Sequence, residues 1–69
     1  MGSKTTRRRI MELLDQARGH VAEAFERLKS AQDLIPDLPS YRRYRNMLEG
    51  MMVALAGLDK LIQDFKERL

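Results

Sequence analysis

The sequence predicts an all-α fold: an antiparallel hairpin of two helices, over residues 5–35 and 40–68, that dimerises into a four-helix bundle. Three observations predict it. Tyr41, Tyr44, Leu48, Met51, Leu55, Leu58, Ile62, Phe65 and Leu69 recur in alternating steps of three and four, the spacing that holds one stripe of a helix against a partner. Ile10, Leu14, Ala17, Val21, Ala24, Leu28, Ala31 and Ile35 repeat that pattern in the first half of the chain. Between the two seams stands Pro36-Asp37-Leu38-Pro39, which a helix does not cross.

The first helix has Ser3, Thr5 and Thr6 as candidate N-caps, none followed three residues later by the Glu of a capping box. Arg7, Arg8 and Arg9 then place three cations at the positive end of the helix dipole, so residues 1–6 are expected to form a frayed basic N-terminus. From Ile10 onward the two seam rows differ. Leu14, Val21, Leu28 and Ile35 are large, whereas Ile10, Ala17, Ala24 and Ala31 are mostly small, an alternation that lets bundle layers interdigitate. Met11, Leu13, Phe25 and Leu34 lie beside the seam and widen the apolar face towards that of a helix with two neighbours. Gly19, mid-helix on the outer side, costs up to about 1 kcal/mol against Ala and has no evident structural reason.

Pro36 stops the first helix at Ile35. Asp37 or Ser40 is expected to cap the second, and Pro39 is tolerated in a first turn, where its missing amide is not needed. A turn over residues 36–39 forces the helices to be antiparallel neighbours. The second helix has an uncharged middle from Gly50 to Leu58, so apolar surface spreads beyond its seam. Met11, Phe25, Met47, Met52 and Leu61 would stay exposed in a lone hairpin, and a second hairpin is the economical cover. Parallel and antiparallel dimers remain open at this level.

Sixty-nine residues make one small domain, 1–69, of a size whose core barely offsets the entropy of folding. There is no cysteine and a single histidine, so disulfide and zinc supplements are excluded and oligomerisation is the usual remaining one. The longest uncharged run falls far short of the roughly 20 residues of a membrane span, and the N-terminus lacks the apolar core of a signal peptide, so a cytoplasmic location and no membrane partner are expected. The net charge of +3 is concentrated at the ends, Lys4 to Arg9 and Arg42, Arg43 and Arg45, which favours acidic partners without naming their class.

Each chemical candidate competes with a plainer reading. Tyr41-Arg42-Arg43-Tyr44-Arg45 interleaves aromatics with arginines, as surfaces that stack on bases do, but both tyrosines fall on seam positions and their rings also serve to close the end of the core. Since Tyr and Arg dominate binding hot spots, this end is the first candidate for partner binding, with Met52 and Val53 second. Val53 points away from the seam, so an apolar patch around it would be open to a protein partner. The residues assigned to the core or dimer seam are Leu14, Val21, Phe25, Leu28, Leu48, Met51, Leu55, Leu58, Ile62 and Phe65. Arg7, Arg8 and Arg9 are candidate nucleic-acid contacts, though a short basic terminus is more often a solvated tail.

His20 and Glu23 share a helix face at a spacing known from carboxylate-bridged metal bundles, but the seams offer no further inward carboxylate, and neither metal nor cofactor is expected. No nucleophile with its base, glycine-rich phosphate loop or pair of acids suggests an enzyme. The alternating layers and the hairpin length resemble the plasmid copy-number RNA-binding hairpins, the ROP type of dimeric four-helix bundle, an architectural likeness without a shared motif.

The function expected from these residues is that of a small homodimeric, non-enzymatic adaptor or inhibitor that binds and modulates a larger protein, a type common among bacterial and phage regulators. The alternatives are an RNA- or DNA-binding hairpin, as the ROP resemblance implies, and a structural subunit of a larger helical assembly. Interspersed acids such as Glu12, Asp15 and Glu26 count against nucleic acid.

Overall fold

The structure is a computed structural model and describes residues 3–69. Two long helices, α1 (Lys4–Leu34) and α2 (Arg42–Arg68), pack antiparallel as a rod of 55 × 16 × 12 Å. A single 3-10 turn, Pro39–Tyr41, leads into α2. Among the described residues there is no strand, and no helix is long and apolar enough to cross a membrane.

Ser3 caps α1: its Oγ accepts the Thr6 amide at 3.1 Å, and its carbonyl accepts that of Arg7 at 3.0 Å. Lys4 to Thr6, expected to be frayed, are helical behind this cap. Met1 and Gly2, in the same expected segment, lie outside the described residues. At the other end Pro36 disfavours the helical conformation in the residue before it, and Ile35 is accordingly extended at φ −77° and ψ 127°.

The expected caps of the second helix are not used. Leu38 occupies the cap position of the 3-10 turn with no side-chain bond, and Tyr41 does the same for α2. Pro39 has no amide to satisfy, and the amides of Tyr41 and Arg42 bond back to the carbonyls of Leu38 and Pro39, leaving Asp37 and Ser40 with no capping task.

The α1 seam packs largely as its spacing requires, with Ile10, Leu14, Ala17, Val21, Ala24, Leu28 and Ile35 partly buried and only Ala31 exposed. The α2 seam does not. Leu48, Leu55, Ile62 and Leu69 face α1, but the alternate positions Tyr44, Met51, Leu58 and Phe65 are exposed. The adjoining row, Arg45, Met52, Asp59 and Lys66, turns inward instead. The cause is polar: three of those four side chains bridge to α1, and Met52 fills the space between them. Met52, at 6% exposure, is the only buried residue among those described.

Candidate functional site

The heptad phase of α2 and the contacts to α1 give the hairpin two unlike faces. On one, every cross-helix polar contact among the described residues is made. Arg18 grips Asp59 with both arms of its guanidinium, Nε donating to Oδ1 at 2.9 Å and Nη2 to Oδ2 at 3.1 Å, and also donates to Gln63. One helical turn away Lys66 pairs with Asp15. Towards the inter-helix turn, the Gln32 amide donates to the Arg45 carbonyl and to Glu49, both at 3.2 Å. The Asp59 carboxyl is held below its ordinary value, first by the hydrogen bond from Arg18, and the Arg18 guanidinium is correspondingly raised.

This bridged face carries an open apolar groove of about 510 Å³, lined by Val21, Ala22, Phe25, Leu55 and Ala56 and closed at one end by the Arg18 and Asp59 pair. Gly19, whose absent side chain would meet nothing within 4 Å, lies at its rim.

The opposite face has none of these bridges among the described residues. Along it α2 presents Tyr44, Met47, Met51, Ala54, Leu58, Leu61 and Phe65, in steps of three and four without a miss. This is a second seam, turned by about a quarter of the helix from the one that packs on α1. Tyr44 is 56% exposed and Leu61 66%. Because Ala22, Phe25 and Ala56 line the groove on the other side, the α1 row exposed on this face is Leu13, His20, Arg27 and Leu34, with Ile10, Ala17 and Ala24 partly buried between it and α2. Arg27 is held outward by Glu23, its Nη2 donating to Oε1 at 2.6 Å.

The residues expected to bind a partner are dispersed. Tyr41, Arg42, Arg43 and Tyr44 are exposed at the turn end, the two rings tilted by 49° with centroids 6.3 Å apart. Arg45 is not free beside them: its Nη1 donates to the carbonyls of Gln32 and Ile35 at 3.3 and 3.2 Å, closing the end of α1. Met52 is inside the hairpin and offers no surface. Val53, at 65% exposure, stands on the back of α2.

At the far pole Arg7 and Arg8 are exposed, and Arg9 lies 3.3 Å from Glu12. Among the seam residues Leu14, Val21, Phe25, Leu28, Leu48, Leu55 and Ile62 are partly buried in the hairpin, whereas Met51, Leu58 and Phe65 belong to the exposed face. No three His, Cys, Asp or Glu among the described residues are grouped to hold a metal, and His20 is exposed.

Apolar spacing alone does not separate this face, because the seam it assigns to α1 packing and the exposed stripe share the positions Tyr44, Met51, Leu58 and Phe65. The signal was present: Arg45, Asp59 and Lys66 recur at multiples of seven, as do Arg18 and Gln32 in α1, so two polar rows were available to pair across the hairpin. Compared with protein-family models, with curated proteins and with solved structures, the chain matches none.

Proposed function

We propose that this chain is a non-enzymatic, homodimeric protein-binding module that attaches to a larger protein and modulates it, as an adaptor or inhibitor. One observation carries the reading: a helix pair whose only buried residue among those described is Met52 exposes an unbroken apolar seam of seven residues on one face. Such a surface is made to be covered. The exposed quartet Tyr41, Arg42, Arg43 and Tyr44 is the proposed contact to the target, because amphipathic rings beside guanidiniums combine apolar burial with hydrogen bonding to acidic groups. Val53, on the back of α2, is the secondary contact.

The test is affinity capture from a nuclease-treated bacterial lysate, comparing the wild-type chain with the double variant Arg42→Ala, Arg43→Ala. A stoichiometric protein retained by the wild type and lost by the variant, at unchanged helicity and mass, supports the reading. Recovery only of nucleic acid, with retention falling steeply as salt is added, replaces it with the nucleic-acid alternative.

A further inference from the structure

The exposed apolar face carries a titratable group. On its α1 side the exposed row runs Leu13, His20, Arg27 and Leu34 in steps of seven, so two polar side chains stand between two leucines. The Arg18 to Asp59 and Lys66 to Asp15 contacts fix the register of the hairpin and set His20 level with the segment from Leu58 to Leu61, well within the length of the stripe. His20 is the only histidine of the chain.

Arg27 and His20 make different demands on a covering surface. Arg27 keeps its charge at any working pH, and Glu23 already matches that charge, its Oε1 accepting from Arg27 Nη2 at 2.6 Å. The same Glu23 is the carboxylate nearest His20 along α1, and it is thereby engaged. From α2 the residues on this face at the level of His20 are Ala54, Leu58 and Leu61, none of which titrates. The α2 charges at this level are turned elsewhere: Asp59 is bound by Arg18 on the bridged face, and Lys60 lies in the row of Val53 on the back. Asp64 and Arg68 border the stripe beside Leu61 and Phe65, towards the termini, and Tyr44 closes it at the turn. A second copy brings the same set.

Area supports a second copy as the occupant of the stripe. The chain exposes 5744 Å², against about 4,500 Å² for a compact monomer of its 8.1 kDa. The surplus of roughly 1,200 Å² is more than the about 800 Å² that each partner of a standard interface buries.

We infer that this dimer is proton-linked: covering the stripe takes His20 out of water in its neutral form, so acidification through the imidazole range separates the two hairpins. The inference rests on the homodimeric reading above and adds to it a means of regulation. A neutral imidazole is enclosed at modest cost, whereas an imidazolium without a carboxylate of its own carries a charge into an apolar contact. The associated state therefore holds fewer protons than the separated hairpins. Association is at full strength above about pH 6.5, where imidazoles are neutral, and weakens below it by up to about tenfold per pH unit for each histidine enclosed. Phenols and carboxylates titrate well outside this window, near about 10 and about 4.

Sedimentation equilibrium at about pH 7.5 and about pH 5.5, at constant ionic strength, reads the dissociation constant of the dimer on both sides of the imidazole range. For the wild type that constant is expected to be larger at the lower pH by a factor on the order of ten or more. His20→Gln, which keeps a neutral polar side chain, is expected to give one value at both pH, and His20→Leu a tighter one, again the same at both. Equal wild-type constants, tighter association at the lower pH, or a pH dependence that persists in both variants would overturn the proton link. A monomeric mass at the higher pH would overturn the dimer on which the link depends, so the two failures are read separately.

Discussion

Two residues on α2, Leu58 and Val53, are both exposed in the single hairpin, at 44% and 65%, yet they belong to faces of different design. Leu58 sits in the middle of a stripe that is apolar from Tyr44 to Phe65, while Val53 stands on the back, between Asn46 and Lys60 at seven-residue spacing. The bridged side satisfies its polar groups within the chain, through Arg18, Asp59, Gln63, Asp15 and Lys66, and these bridges interrupt its apolar surface beside the groove. The stripe satisfies nothing within the chain. Exposure alone therefore does not identify a binding surface; what identifies it is continuous apolar character together with the lack of intrachain polar closure.

The contrast can be broken by charge. Leu58→Glu puts a carboxylate into the proposed dimer face, and the account expects a monomer of much reduced helicity at micromolar concentration, read by light scattering and circular dichroism. Val53→Glu is a larger intrusion by exposure but is expected to leave mass and helicity unchanged and to shift stability by no more than about 0.5 kcal/mol. Equal effects of the two substitutions would remove the distinction between the faces.

Inside the hairpin the next largest effect belongs to Met52, the buried side chain between the helices. Met52→Ala is expected to cost about 2–3 kcal/mol by urea unfolding, through lost burial and a residual cavity. Met51→Ala, one residue away and exposed in the hairpin, is expected to cost a comparable amount where a second copy covers the stripe; a cost appreciably smaller than that of Met52→Ala would mean the stripe has no cover.

The smallest effect concerns the bridged face. The Asp59 carboxyl is lowered by its bond to Arg18, so the stability it contributes is present above the unfolded value of about 3.9 and is lost as pH falls through its lower folded value. Asp59→Asn is expected to flatten that part of the acid-unfolding curve while leaving the curve near neutral pH parallel to that of the wild type. The raised Arg18 loses its contribution only above its folded value, outside any working pH.

The helices, the turn and the antiparallel pairing were legible because spacing and proline chemistry are local: the α1 seam and the stop at Ile35 follow from residues within a few positions of each other. The rotation of α2 was not. It depends on Asp59 meeting Arg18 and Lys66 meeting Asp15, partners more than forty residues apart whose pairing draws a partly charged row inward and turns an apolar one out. Apolar periodicity takes buried and apolar to be the same thing, and on α2 they differ by one residue. At the candidate site the exposed quartet at the turn was legible up to Tyr44, but Arg45 was not separable from its neighbours, because its role is set by the carbonyls of Gln32 and Ile35.

The central claim is that the apolar face of the hairpin is covered by a second copy of the chain. The most direct measurement is the thermal midpoint of unfolding over a hundredfold range of protein concentration. Coupled folding and association predict a midpoint that climbs steadily with concentration, whereas a midpoint independent of concentration would show that the hairpin folds alone and that its apolar face is left uncovered.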